Sequence, residues 1–314
     1  MNTKRLKLVA FGECMVELRR VEEGLMRQSF SGDTLNTAVY LARLAGGAFD
    51  VAYATAVGEG DSFSDAMLAS WVAEGIETGF VERRPGELPG LYTIEVDAAG
   101  ERRFAYWRQN SAARNYFAGD ASPLERRAAD IDLLYLSGIS LAILPPAGRE
   151  RLFALIDWLR AKGARFVFDN NYRPRLWPNP EEARQTYAAA YARADIALVT
   201  LGDEMEVRSI ADEAQAIEFA CALPCREVVI KRGAAPTLIR AIDGSRLEVA
   251  TEPVKTVVDT TAAGDSFGAG YLAARLHGLG AAQAAAVGNR LAATVIQYPG
   301  AIIPPECMPA ALLA

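Results

Sequence analysis

The sequence predicts an α/β fold in which helices cover both faces of a mostly parallel, doubly wound sheet and a small β-sheet lid lies beside it. Apolar runs of strand length alternate with segments of helical spacing along nearly the whole chain, as in folds built from strand–helix–strand units. The 314 residues are 51% hydrophobic and 23% charged, a balance that supports one large buried core. We therefore expect a single domain over residues 1–314.

Six mostly apolar runs predict buried parallel strands, at residues 6–11, 51–57, 133–136, 165–168, 196–199 and 227–230. Between these runs, apolar residues at helical spacing predict five helices, at residues 35–44, 62–72, 147–159, 181–192 and 212–222. An alanine-rich segment closer to the C-terminal end predicts a further long helix, with Asp265 in its first turn.

Two stretches interrupt this alternation. Residues 15–30 are rich in charge and alternate in short pieces, and residues 91–97 and 102–107 predict a hairpin with its turn at 98–100. Because one hairpin is only marginally stable alone, we expect these pieces to join into a small sheet. This lid is predicted to span about residues 14–31 and 90–108.

Charge and hydropathy exclude several classes of function. The net charge of −6 argues against a nucleic-acid partner held on a basic face. No run of 18 or more apolar residues occurs, so we expect no membrane span. The short apolar run after the first charged residues is too short for a signal core, which indicates a cytoplasmic protein.

Cysteine and histidine content excludes other chemistry. The four cysteines have no metal-ligand spacing, so we expect structural thiols rather than a zinc or redox site. His277 is the only histidine of the chain, which excludes a mechanism that needs two and disfavours a Ser-His-Asp hydrolase. We expect His277 to lie near the end of the alanine-rich helix.

The most informative segment is residues 259–275, where small residues and a glycine open the alanine-rich helix. Backbone N–H groups at such a helix start are sterically bare and attract anions. Asp265 lies within this first turn. It is either a helix-capping residue or a functional carboxylate, and the spacing alone leaves both open.

Residues 259–267, Asp-Thr-Thr-Ala-Ala-Gly-Asp-Ser-Phe, resemble the C-terminal signature of the ribokinase-like (PfkB) sugar kinases. The resemblance implies that Asp265 is the base that deprotonates a sugar hydroxyl. It also implies an anion hole formed by Ala262, Ala263 and Gly264.

Residues 31–46 resemble the N-terminal signature of the same family, although Ser31 stands where glycine is usual. The resemblance extends over essentially the whole chain and implies a ribokinase-like fold. It implies sugar-hydroxyl binding by Gly32, Asp33 and Asn36.

Residues 228–236 lead from a strand into a glycine-containing loop. By themselves they favour a simple strand-to-turn connection, but they resemble the nucleotide loop of the family. Pro236 stands where many relatives have glycine. The chain has no P-loop motif. The resemblance implies ATP binding by residues from several segments: Asn171, Arg173, Lys231, Gly233, Ala262 and Gly264.

Phosphoryl transfer depends on positioning and charge neutralisation, so we expect Mg²⁺. The family commonly has an Asn-x-x-Glu motif that orders water around the metal, and residues 200–204 match it with Asp203 and Glu204 but without the asparagine. We choose Glu204, with a solvated helix-start carboxylate as the alternative. The resemblance also suggests a site for a monovalent cation such as K⁺ at Asp259 and Thr261.

Three segments resemble those of family members that phosphorylate 2-keto-3-deoxygluconate: residues 11–18, 106–113 and 168–177. A sugar acid favours a guanidinium in bidentate contact with its carboxylate, and Arg108 and Arg173 are the candidates. Arg173 is also a candidate for ATP phosphate, because it follows a predicted strand end. Tyr92 and Tyr106, on opposite lid strands, are candidates for sugar hydroxyls or for ordinary packing.

The resemblance thus implies an ATP-dependent kinase that acts on the 6-hydroxyl of 2-keto-3-deoxygluconate and supplies Entner–Doudoroff or uronate breakdown. One alternative is a fructokinase or another ketose kinase of the family. An alternative from a different class is a non-catalytic sugar-acid sensor. The expected partners are the small-molecule sugar acid and ATP, and we expect a homo-oligomer formed through the lid.

Overall fold

The computed structural model describes residues 5–96 and 102–313. In these residues the strands are β1 Leu6–Phe11, β2 Met15–Glu22, β3 Leu25–Ser31, β4 Phe49–Glu59, β5 Glu77–Pro85, β6 Gly90–Val96, β7 Arg102–Trp107, β8 Leu133–Ser137, β9 Arg165–Asp169, β10 Ile196–Thr200, β11 Glu227–Lys231, β12 Thr237–Arg240 and β13 Arg246–Val249. The helices are α1 Asp33–Leu44, α2 Ser62–Ala73, α3 Pro123–Arg126, α4 Gly138–Ile143, α5 Pro146–Ala161, α6 Pro180–Tyr191, α7 Leu201–Arg208, α8 Glu213–Cys221, α9 Ala263–Leu276 and α10 Ala281–Val295.

The larger sheet has the strand order β13-β12-β11-β10-β9-β8-β1-β4-β5. Its pairs are parallel from β11 through to β5, and the last two strands at the other edge are antiparallel. From β1 in the middle, the chain first adds β4 and β5 toward one edge of the sheet and later adds β8 to β13 in order toward the other edge. This is the predicted doubly wound, mostly parallel sheet, and ligands of such sheets bind beyond the strand C-termini.

Strand β1 shows why both faces of this sheet need helices. Val9 and Phe11 belong to one buried apolar cluster, which includes residues of α5, α6 and α8. Leu8 and Ala10 belong to a second cluster, which includes residues of α1, α9 and α10. Successive side chains of a strand point to opposite faces, so a strand buried on both faces has a continuous apolar sequence.

The six predicted strands and five predicted helices are confirmed, with shifts of a few residues at their ends. Strand β5 was not predicted because Phe80 is its single buried residue, so the apolar run that identifies a central strand is missing at this sheet edge. Helix α7 was not predicted either. The predicted alanine-rich helix is confirmed as α9, which ends directly before His277 and Gly278, whose φ of +87° is left-handed, and a separate helix, α10, follows it.

The smaller sheet has the order β3-β2-β6-β7. Strand β2 pairs antiparallel with β3 and parallel with β6, and β6 pairs antiparallel with β7. The two chain segments expected to form the lid therefore do join into one sheet. The predicted turn at 98–100 lies outside the described residues.

Three other expectations concern single features. Within the described residues, no helix combines the length and apolar character needed to cross a bilayer. Cys14, Cys221 and Cys225 are buried free thiols. His277 caps the end of α9 and its Nε2 lies 3.1 Å from the backbone oxygen of Leu44, which agrees with a helix-end role.

Candidate active site

A cavity of about 780 Å³ lies where several strands of the larger sheet end. Asp169 ends β9, Thr200 ends β10 and Lys231 ends β11, and all three line it. The first turn of α9 forms another wall through Ala263, Gly264 and Asp265. The cavity thus occupies the edge of the sheet at which open α/β folds bind ligands.

Asp265 is the central carboxylate of this cavity. Its Oδ2 accepts a 2.8 Å hydrogen bond from Nδ2 of Asn36, on α1. Burial and the neighbouring carboxylate of Asp33 raise the pKa of Asp265 to about 8, although the bond from Asn36 acts in the opposite direction. A carboxylate with such a pKa is suited to accept a proton near neutral pH.

Helix α1 brings the expected sugar-binding residues to the same place. Gly32 is its N-cap residue, and a β-carbon there would overlap the backbone oxygen of Glu13. Asp33 accepts a 2.6 Å hydrogen bond from Nδ2 of Asn171, and Asn171 has a left-handed φ of 26°. The structure therefore joins residues of both signature motifs and of the segment after β9.

Lys231 and Asp169 form a buried ion pair on the cavity wall, with 2.7 Å between Nζ and Oδ2. Burial raises the pKa of Asp169, and Lys231 opposes that shift. A β-carbon on Gly264 would lie 3.4 Å from the Lys231 Nζ. The ammonium group therefore lies beside the predicted anion hole and adds positive charge to it.

Arg173 lines the same cavity and is about half exposed. Its Nη1 donates to the backbone oxygen of Tyr172 at 2.6 Å and lies 3.4 Å from Oδ2 of Asp203. Burial raises the pKa of Asp203, against the effect of Arg173 and Lys231. Of the two arginines predicted to bind the carboxylate of a sugar acid, Arg173 and Arg108, Arg173 is the one that lines the cavity.

Glu204 faces the interior and not the cavity. It is fully buried, and its carboxylate accepts hydrogen bonds from Asn170 at 3.2 Å, Tyr191 at 2.6 Å and Arg208 at 3.0 Å. Its magnesium role stays a prediction. Asp203, the preceding carboxylate, is the one of the two that lines the cavity.

Arg108 has a carboxylate partner within the protein. It is nine-tenths buried and forms an ion pair with Glu13. Tyr92 donates a hydrogen bond to Glu17, and the exposed ring of Tyr106 stacks on Tyr92 with 5.7 Å between centroids. Tyr92 and Tyr106 belong to the small sheet, and Arg108 directly follows its strand β7. None of the three lines the described cavity, so their sugar contacts stay predictions.

Sequence reasoning missed the functional-site neighbours Asp169, Glu13 and Glu17. Asp169 had a usable signal, because it directly follows the apolar run predicted as a strand at residues 165–168. Glu13 and Glu17 are nearly fully buried acids within the segment 11–18 already singled out. Acidic residues are rarely buried without a partner. Arg108 is the partner of Glu13 and Tyr92 is a partner of Glu17.

The donor set suits a magnesium ion that arrives with nucleotide phosphates. Mg²⁺ usually takes one or two protein carboxylates and keeps waters, and the carboxylates of Asp169 and Asp203 line the cavity beside Lys231. Oδ1 of Asp169 is buried and has no hydrogen-bond partner among the residues that the structure describes. In the described residues no group of three or more His, Cys, Asp or Glu side chains forms a separate metal cage.

The residues expected to hold a monovalent cation do not fit one. Oδ1 of Asp259 accepts from the amide and hydroxyl of Thr261, and Oδ2 accepts from the amide of Gly300 at 3.0 Å and from Arg19 at 3.1 Å. Donors and a guanidinium charge already surround the carboxylate. The expected K⁺ role of Asp259 and Thr261 is therefore not supported by their surroundings.

The doubly wound α/β fold, with this cleft at its strand ends, agrees with the expected class of sugar kinases. The family model described as "pfkB family carbohydrate kinase" matches residues 5–307. This chain belongs to that family.

Two curated relatives are 2-dehydro-3-deoxygluconokinases. The protein of Dickeya dadantii is 49% identical, over 99% of this chain and 100% of the relative, and that of Escherichia coli K12 is 47% identical, over 97% and 99%. A fructokinase of Vibrio alginolyticus is 28% identical over 83% and 81%.

Among solved structures, a ribokinase II-like protein of E. coli in complex with ATP and Mg²⁺ matches with a TM-score of 0.81. The identity is 22%, with 94% of each chain covered. This likeness confirms the ribokinase-like fold.

Proposed function

We propose that this kinase phosphorylates 2-dehydro-3-deoxygluconate, which is 2-keto-3-deoxygluconate, at its 6-hydroxyl with ATP. The product is 2-keto-3-deoxy-6-phosphogluconate. The main support for this reaction is the position of Asp265 at the start of α9. Its carboxylate accepts a hydrogen bond from Asn36, and burial and Asp33 raise its pKa to about 8. Relatives of that name at 49% and 47% identity support the substrate.

Asp265 is the general base. The 6-hydroxyl gives its proton to the Asp265 carboxylate, the hydroxyl oxygen bonds to the γ-phosphorus, and the bond to the ADP oxygen breaks. Backbone amides near Ala263 and Gly264, preceded by Ala262, stabilise the charge that develops on the transferred group. Lys231 adds a positive charge beside them, since its Nζ would lie 3.4 Å from a β-carbon placed on Gly264.

The sugar lies between the two signature motifs. Gly32, Asp33 and Asn36 hold its hydroxyl groups, and Arg173 holds its carboxylate with the free side of the guanidinium. Arg108 already forms an ion pair with Glu13, so its guanidinium contacts the substrate only if it binds Glu13 and the substrate at the same time. Tyr92 and Tyr106 add hydroxyl and ring contacts from the lid.

ATP lies over the ends of β9–β11, where its phosphates meet the start of α9. The residues proposed for it are Asn171, Lys231, Gly233, Ala262 and Gly264, with a phosphate contact of Arg173 as the alternative to its carboxylate role, and most of them line the cavity. Magnesium supplies charge neutralisation of the phosphates. Asp169 and Asp203 would hold it, and Glu204 contributes only indirectly, through Asn170.

We also propose that the chain is one kinase domain whose small sheet is a lid and whose lid pairs with that of a second copy. Large apolar side chains are exposed on this sheet: Val21, Leu25, Met26, Phe104 and Trp107. These exposed apolar side chains are the ones that we propose the second copy covers. Light scattering of the purified protein, with Trp107→Asp as the disrupting variant, tests this assembly.

A substrate panel tests the function. ATP consumption is measured with 2-keto-3-deoxygluconate, its galactonate epimer, fructose and ribose, and ³¹P NMR locates the phosphate. We expect the sugar acid to have the highest kcat/KM, with phosphate at the 6-position. A higher kcat/KM for fructose would favour the fructokinase alternative, and sugar-acid binding without ATP consumption would favour the sensor.

A further inference from the structure

The segment that opens α9 carries a buried charge pair that the proposed function does not use. Asp259 is 5% exposed and begins the 259–262 segment that leads into the predicted anion hole. Its Oδ2 accepts from Nη2 of Arg19 at 3.1 Å. Arg19 comes from β2 of the small sheet, 240 positions away in the chain.

Asp259 makes hydrogen bonds to the backbone at two places, at the start of α9 and in the segment after α10. Its carboxylate accepts from the amides of Thr261 and Gly300, both at 3.0 Å, and its own amide donates to the oxygen of Ile296 at 3.1 Å. The carboxylate therefore joins the start of α9 to the segment after α10. The direction of the anion-hole amides depends on this junction.

A buried carboxylate at this place needs a compensating positive charge. Burial would raise the pKa of Asp259, but hydrogen bonds from Thr261, Gly300 and Arg19 outweigh burial and hold the pKa well below its usual range. Asp259 is thus ionised next to a cleft that takes polyanionic phosphates. Without a cation beside it, its negative charge would oppose phosphate binding.

Arg19 supplies that cation from within the chain. Its side chain is only 22% exposed and its Nε lies 3.7 Å from Oε1 of the buried Glu17, so the guanidinium is held between two acids. Glu17 in turn accepts from Tyr92 and from Ser29. The guanidinium is therefore fixed by the small sheet and directed at Asp259.

We propose that Arg19 is a positioning residue that takes the place of a monovalent cation at Asp259, so that the enzyme works without K⁺. The same contact ties the small sheet to the anion-hole segment. Because the inference concerns the reaction of the proposed function, its test also includes a stability readout that needs no substrate.

The test compares chloride salts of K⁺ and tetramethylammonium at one ionic strength of about 0.1 M. The wild-type protein is expected to have the same kcat and melting temperature in both. Arg19→Ala is expected to lose about 10–150-fold in kcat in tetramethylammonium, the loss of one charge-assisted contact. K⁺ is expected to restore most of that kcat and to raise the melting temperature of this variant alone.

Arg20→Ala is the matched control, because Arg20 is the next residue of β2 and its exposed side chain pairs with Glu95 at 3.0 Å. It should behave as wild type in both salts. Arg19→Lys, which keeps the charge, should remain insensitive to K⁺. A wild-type protein whose kcat or melting temperature requires K⁺ overturns the proposal, and this measurement needs no variant to fold.

An Arg19→Ala protein with the same kcat and melting temperature as wild type in both salts overturns it as well, as does a loss that K⁺ leaves unchanged. Absence of turnover on every sugar of the panel would refute the proposed function instead. The melting temperatures would still decide the role of Arg19.

Discussion

The side-chain amide of Asn36 donates to Oδ2 of Asp265 at 2.8 Å, across 229 positions of the chain. This bond joins the N-terminal turn of α1 to that of α9 and orients the carboxylate that we assign as the base. It also stabilises the ionised form, and so lowers the pKa of Asp265 against the larger effect of burial.

Replacement of Asn36 should therefore change the pH dependence as well as the rate. We expect Asn36→Ala to move the pH at which activity rises to a higher value and to lower the maximal kcat. Asn36→Asp, which adds a further carboxylate to those of Asp265 and Asp33, should move this pH further upward. Full pH–rate profiles of the two variants check this, and unchanged profiles would mean that Asn36 does not act through Asp265.

The wild-type pH profile is a separate prediction. Burial and Asp33 raise the pKa of Asp265 to about 8, and a general base must be deprotonated to act. We expect kcat/KM to increase as the pH rises and to level off above about 8. A profile that is flat across this region would argue against Asp265 as the ionising group.

The same carboxyl group should affect stability. Its pKa in the folded protein lies above the unfolded value of about 3.9, so the folded state binds the proton more tightly. The stability that this proton supports is present at low pH and is lost as the pH rises toward about 8. We expect Asp265→Asn, which cannot ionise, to melt at a higher temperature than wild type, with the difference growing between these two pH values.

Thermal melts at several pH values, without substrate, measure this difference. Asp243→Asn is a suitable control, because Asp243 is exposed and its hydrogen bonds with Ser245 lower its pKa. A melting-temperature difference between Asp265→Asn and wild type that does not change with pH would contradict the raised pKa.

The apolar sequence patterns predicted the larger sheet because its central strands are buried on both faces. They did not predict β5, whose residues around Phe80 are half-buried or exposed. In the site, the motifs identified Asp265, Asp33 and Asn36, which the structure brings together. The pairing of Arg108 with Glu13 was not predictable, because no local pattern shows which acid meets an arginine 95 positions away.

Arg173 is expected to hold the sugar-acid carboxylate. Arg173→Ala should remove a charge-assisted contact of about 1.5–3 kcal/mol, or about 10–150-fold in binding. The loss should fall on the KM for the sugar acid, with the KM for ATP nearly unchanged. Arg173→Lys should recover only part of it, because an ammonium group lacks the planar fork.

Arg108→Ala provides the comparison. It leaves Glu13 as a buried acid without its ion-pair partner, so we expect a loss of stability together with a lower kcat. A rise confined to the KM for ATP in Arg173→Ala would place Arg173 on the nucleotide phosphates instead.

The most direct test of Asp265 as the base is the kcat of Asp265→Asn, measured together with its affinity for ATP. The amide keeps the size of the side chain but cannot accept the proton, and a general base contributes about 10²–10⁴-fold. We predict a fall in kcat of that size with ATP affinity, measured by calorimetry, at least as high as in wild type. A variant that keeps more than about a tenth of the wild-type kcat would show that Asp265 is not the base.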